Sequence, residues 1–251
     1  MKKVIPFALA TLLLTNGTAL AHGTYGTTDS QATTNSQEVS AESHAKAKTL
    51  TVLVNGVKVA SPANHIAADK KVYASVPAFA DLFKKPYTVS KDKQSVSFNG
   101  KKIADVKLVN GEPTAWIEDL ASAVGAQKVS WDGKKKELYV LALPEGTIQL
   151  DPTPVPKMGE HWANAQAGEL PTGPIYGVYN GKLVFLEYMI AQEDFANGVN
   201  HVNLNGMKGV PMPAVVQVDV EYQSHGHPGF EVPHFDIHNY FITDEEQQAI
   251  E

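Results

Sequence analysis

Ile175-Tyr176-Gly177-Val178-Tyr179-Asn180-Gly181-Lys182-Leu183-Val184-Phe185-Leu186-Glu187-Tyr188-Met189-Ile190 is two β-rich runs joined by Asn-Gly. Aromatic and β-branched residues favour extended backbone, and Asn-Gly supplies the two positive φ angles of a two-residue hairpin turn. The stretch therefore predicts an antiparallel hairpin. Glu187 is the only acid inside its apolar second strand. A buried carboxylate is costly unless paired or coordinating, so Glu187 is expected to have a specific partner.

Downstream, Pro233-His234-Phe235-Asp236-Ile237-His238-Asn239-Tyr240-Phe241-Ile242 alternates strictly, which again predicts a strand. His234, Asp236, His238 and Tyr240 then share one face, and Phe235, Ile237 and Phe241 are expected to point into the core. Two imidazoles, a carboxylate and a phenol on one face suggest a metal site. Along a strand, residues two apart are separated by about 7 Å and residues four apart by about 13 Å. Zinc–nitrogen bonds are about 2.1 Å, so His234 and His238 reach one ion only if the strand bends. Asp236 could instead support an imidazole from behind, as could Tyr240.

Six of the nine His residues fall in the last 101 positions, and the remaining donors must come from elsewhere in that half. Met158-Gly159-Glu160-His161-Trp162 offers His161, and the turn His225-Gly226-His227-Pro228 places two imidazoles at the rim of a site. The expected set is a divalent transition metal, zinc- or copper-like, on His161, Glu187, His234 and His238. Asp236 and Tyr240 support it, and His225 and His227 form its rim. The competing reading is a group of His–Asp and His–Glu hydrogen bonds without an ion. There is no HExxH motif and no Cys, so no strong metal signature decides between them.

Upstream of the hairpin the composition changes. Residues 48–150 carry an excess of Lys and residues 151–251 a large excess of acids, with Asp151-Pro152-Thr153-Pro154-Val155-Pro156 between them. Alternating prolines favour an extended spacer, so a domain boundary is expected at 151–157. In residues 48–150 a pattern returns after about forty residues. Val72–Val76, a short helix opened by Pro77, and a hairpin over 87–98 are echoed by Ala115–Ile117, a helix over Glu118–Val124, and a hairpin over 128–140. The expectation is an α+β fold of two small domains. The first is a duplicated strand-helix-hairpin unit over 48–150, and the second a His-rich, mainly antiparallel sheet with short helices over 158–251.

Residues 1–21 carry Lys2 and Lys3, an apolar Val4–Leu14 and Ala19-Leu20-Ala21, the order of a secretory signal cleaved near Ala21. Residues 22–47 are rich in Thr, Ser, Gln, Asn and Ala and predict a disordered leader. The mature chain is thus expected to be secreted or extracytoplasmic, without disulfides and without a membrane span. All 21 basic residues are Lys and the net charge is −6, which argues against a nucleic-acid partner.

VNGVKV, VYASVPAFADLF and LASAVGAQKVSWDGKKKELYVL together resemble the copper amine oxidase N-terminal-like domain of bacterial exported proteins, over about residues 49–143. The resemblance implies a non-catalytic stalk or accessory module facing a cell-wall or envelope component. Amine oxidase activity is not implied, because Asn239-Tyr240 is followed by Phe241 rather than an acid. MG-x-HW at 158–162 and HFD-x-H at 234–238 resemble an uncharacterised family of bacterial exported proteins, which brings no known chemistry. The combined expectation is an exported protein with a surface module and a His-rich domain that binds a divalent metal or small ligand. A metal-dependent enzyme is the alternative, with His or Asp236 as base. No Gly-x-Ser-x-Gly occurs, which disfavours serine-type hydrolysis.

Overall fold

Asn180 and Gly181 both take positive φ, 50° and 74°, and turn the chain back on itself between Ile175–Tyr179 and Lys182–Ala191. Asn55-Gly56, Asn99-Gly100 and Asn110-Gly111 repeat the device, which is why so many strands here are joined by two-residue turns. The computed structural model describes residues 50–251, all within one compact unit. The expected signal and leader over residues 1–47 lie outside the described residues.

In chain order the strands are β1 (Thr51–Val54), β2 (Val57–Lys58), β3 (His65–Ile66), β4 (Val72–Ser75), β5 (Tyr87–Val89), β6 (Val96–Phe98) and β7 (Lys101–Ile103). Then follow β8 (Val106–Val109), β9 (Glu112–Trp116), β10 (Lys128–Asp132), β11 (Glu137–Leu141) and β12 (Ile148–Gln149). The last are β13 (Glu160–Ala163), β14 (Ile175–Tyr179), β15 (Lys182–Ala191), β16 (Gln217–Gln223) and β17 (His234–Tyr240). Four short helices interrupt them: α1 (Val76–Phe83), α2 (Ile117–Ala123), α3 (Gln192–Asn197) and α4 (Asp244–Gln248). None is long and apolar enough to cross a membrane.

The expected α+β class is incorrect. The described residues are 39% strand and 13% helix, arranged in four sheets. Helices of about two turns or less cover too little area to form a layer of their own. Nor does the first half form a duplicated strand-helix-hairpin unit. The hairpin after α1 joins β7 in a three-stranded sheet, β5-β6-β7, whereas the hairpin after α2 enters a different sheet, β10-β11-β1-β2. There β11 pairs in parallel with β1, Thr51 opposite Glu137, so similar local sequences serve different long-range pairings.

Apolar packing runs across residues 151–157. Tyr139, Leu141 and Leu143 share one buried cluster with Tyr176, Val178, Leu183 and Leu186. The Tyr139 hydroxyl accepts from the Leu183 amide at 3.1 Å, and Lys182 pairs with Glu137. Asn55, fully buried, joins three backbone groups: its amide donates to the carbonyls of Ala142 (2.6 Å) and Pro211 (2.9 Å), and its oxygen accepts from Ala142 N–H (2.8 Å). Asn55→Ala would leave those groups unsatisfied and lacks the Asn tolerance of positive φ. It is expected to lower unfolding free energy by about 2 kcal/mol, read by urea denaturation.

The functional face belongs to the six-stranded sheet β12-β13-β14-β15-β17-β16. β17 lies between β15 and β16, with unbroken registers on both sides from His234 to Tyr240. Its burial alternates strictly, but the side facing inward is the reverse of the one expected. His234, Asp236, His238 and Tyr240 are buried, while Phe235 and Ile237 are only half-buried. Phe235 packs on the outer face against Tyr222 and Phe195, at ring separations of 5.0 and 5.3 Å. The polar groups face one another inside, with His234 beside Asp236 and His238 beside Glu187, although Asp236 Oδ1 and both His238 nitrogens make no aligned hydrogen bond.

Candidate metal centre

Val232 and Pro228 determine the chemistry of two imidazoles. His234 Nδ1 lies 2.6 Å from the Val232 carbonyl and His227 Nδ1 lies 3.2 Å from the Pro228 carbonyl. A carbonyl can only accept, so each Nδ1 carries a proton, and a ring with no second proton presents a bare lone pair at Nε2. Those two Nε2 atoms are 3.2 Å apart. Asp236 Oδ1 sits 3.0 Å from His234 Nε2, and Asp236 Oδ2 sits 3.9 Å from His227 Nε2. Asp236 Oδ1 is buried and makes no aligned hydrogen bond to either ring.

Two Nε2 atoms and a carboxylate thus converge, an arrangement that a metal ion or a shared proton between them would satisfy. Among the described residues His227, His234 and Asp236 form a group that could hold a metal ion, with ligand atoms all within 4.8 Å of one another. Ligands at about 2.1 Å on a tetrahedral ion are separated from each other by about 3.4 Å; the two Nε2 atoms and the His234–Asp236 Oδ1 pair are near that distance, and His227 must draw closer to Asp236 to match it.

Each donor is held firmly. His234 is fully buried and stacks on Phe230 at 4.5 Å. Asp236 projects from the same face two residues along the strand. His227 sits in the loop between β16 and β17, where it bridges Phe230 by backbone pairing and folds back over the strand. Gly226 makes that return tight: its φ is +67°, and a Cβ there would lie 2.4 Å from the Phe230 carbonyl oxygen.

The four donors expected from sequence separate into two groups. His234 joins His227 and Asp236. His238 instead lies opposite Glu187, its Nε2 3.2 Å from Glu187 Oε1, with Nδ1 3.4 Å from Glu221 Oε2 on β16. Glu187 therefore has the specific partner its burial demands. Burial disfavours charge on His238, yet the contact with Glu187 outweighs it, helped by the charges of Asp236 and Glu221, and its pKa is raised. His161, on β13, is pushed down by burial, against the pull of Glu187 and Asp151. Its Nδ1 is buried without a partner. Both rings meet Phe185 edge-on, at 5.7 Å for His161 and 4.9 Å for His238.

His227, expected at the rim, is thus a ligand candidate, and so is Asp236, expected only in support. Tyr240 stacks beside His238 at 5.4 Å, and its hydroxyl accepts from Gln247 at 2.9 Å; it touches none of the three donors at the centre. His225 is exposed and bonds to Ser224. The unbroken register of β17 explains the split: without a bend, His234 and His238 stay too far apart to share an ion. The clue to His227 was the Gly-x-Pro-Gly loop placed just before a His-x-Asp strand, a pattern that marks a tight return.

His161, Glu187, His227 and Asp236 all line a cleft of about 770 Å³. Its remaining walls are mostly apolar, including Val155, Met158, Leu170, Ile175 and Met189. The metal-site group therefore faces an accessible space.

No protein-family model matches the chain, and no curated protein does. Among solved structures, a hypothetical protein from Thermus thermophilus is similar over 39% of this chain and 91% of its own, at 19% identity and a TM-score of 0.36.

Proposed function

We propose that this is an exported metal-binding protein whose C-terminal half holds a divalent transition ion on His227 Nε2, His234 Nε2 and Asp236. The ion presents a free coordination position to the cleft and binds a small ligand there. The observation that carries this reading is the convergence of two imidazoles, each with a proton on Nδ1, and a carboxylate whose Oδ1 accepts no aligned hydrogen bond. Two imidazoles and one carboxylate suit zinc or copper. The export reading is supported by the charge, apolar core and Ala-x-Ala order of residues 1–21. The Lys excess of residues 48–150, with Lys134-Lys135-Lys136 at a turn, supports an accessory role toward an anionic envelope component.

Stripping the full chain with chelator, reloading it with zinc and measuring bound metal by mass spectrometry should give about one equivalent, as expected for a single three-ligand site. Less than about 0.1 equivalent, under conditions that load a known zinc protein, would mean that a shared proton holds the three groups together.

A metal-dependent enzyme is the second reading, favoured by one feature: three protein ligands with a fourth position open to a cleft is the pattern of catalytic rather than structural zinc. Cobalt substitution tests it. Azide should shift the visible bands of the cobalt protein if the fourth position is open, and leave them unchanged if it is closed.

A further inference from the structure

The cleft above the metal-site group is apolar on its walls and acidic at its base. Asp151, Glu187 and Asp236 line it, and none of its lining residues is a Lys. An anion entering the metal-free cleft meets carboxylates and no Lys; its other polar side chains are His161, His227 and Gln223. With a divalent ion on His227, His234 and Asp236, the centre carries a net positive charge and one vacant position aimed at the same space. The rest of a ligand would then lie against Val155, Met158, Leu170, Ile175 and Met189, which offer no charged partner. A volume of about 770 Å³ is in the usual range for a site enclosing a whole small molecule rather than a lone water or inorganic ion.

Building on the metal assignment, we infer that the cleft binds a small amphiphile: an oxygen-donor head, of carboxylate type, on the metal, and an unbranched or weakly branched apolar body along the Val155–Met158–Leu170–Met189 wall. The head supplies the metal's missing ligand and the body replaces water against the wall. Affinity should then depend on both the ion and the length of the body, and the two dependences can be separated.

The test uses the full chain, zinc-loaded and zinc-free, titrated calorimetrically with straight-chain carboxylates from two to ten carbons, with zinc content measured on each sample. On the zinc-loaded protein, affinity should rise about threefold per methylene until the cleft is filled. The zinc-free protein should bind the short members no better than background. Val155→Trp fills the cleft from a half-buried position whose backbone is anchored by its pairing with Gly159. It should flatten the chain-length series while leaving the zinc stoichiometry and the two-carbon affinity unchanged. Zinc binding with no chain-length dependence would overturn this inference and leave the metal assignment standing. Failure to bind zinc would overturn both. A chain-length series that Val155→Trp leaves untouched would place the apolar body elsewhere and also overturn it.

Discussion

Replacing His227 by Ala is expected to lower zinc affinity by on the order of 100-fold or more, beyond what the loss of a merely supporting group usually costs. The thermal midpoint of the metal-free chain should hardly move. His227 sits in a loop with its side chain more than one-third exposed, so truncating it empties no core space. It nonetheless supplies one of three donor atoms, and the remaining pair, His234 and Asp236, cannot complete a tetrahedral ion from the protein side. His225→Ala, two residues away and bonded only to Ser224 at 2.8 Å, is the matched control and should leave zinc binding intact. Competition with a fluorescent zinc chelator reads both variants. Equal affinities for the wild-type chain and His227→Ala would remove His227 from the centre. His234→Ala is less informative, because His234 is wholly buried and its loss would also disturb the fold.

Phe185→Ala should be the most destabilising truncation near the site, costing about 4 kcal/mol. Phe185 is fully buried, and its ring is the common edge contact of His161, His238 and Tyr240, the last at 5.4 Å. It occupies the space left by Gly177 on the adjoining strand, where a Cβ would lie only 2.1 Å from the ring. Removing the ring leaves a cavity and also frees the buried His238 and half-buried His161 imidazoles that it contacts. For a folded unit of this size the thermal midpoint should fall by roughly 10 °C. Scanning calorimetry on the metal-free protein measures it, and a drop under about 2 °C would show that the surroundings collapse to fill the gap. Because Phe185 touches none of the three metal donors, zinc affinity measured well below the midpoint should change far less than in His227→Ala.

The two variants divide the polar interior by role. His227, His234 and Asp236 form a donor group open to the cleft. Glu187 and His238 form a neighbouring close pair, 3.2 Å apart, which Phe185 and Tyr240 flank. Sequence reading merged the two because they alternate along one strand face. Spacing along a strand already required a bend for His234 and His238 to share an ion, and β17 keeps a straight register instead. The third candidate ligand, His227, lies in a loop expected only at the rim. A tight return at Gly226 and Gly229, both at positive φ, carries His227 back over His234, and no strand or helix period encodes such a contact.

Sequence alone determined the local elements: hairpins at Asn-Gly, the alternating strand at 234–240, and the demand of Glu187 for a partner. These follow from turn chemistry and two-residue periodicity, which need only neighbouring residues. Tertiary structure decided the mainly β class, the parallel pairing of β1 with β11, and which face of β17 lies inside. An alternating strand specifies two faces but not which is covered, because that depends on what packs over it. Here Tyr222 and Phe195 shelter the aromatic side, while the imidazoles and carboxylates turn inward and meet one another.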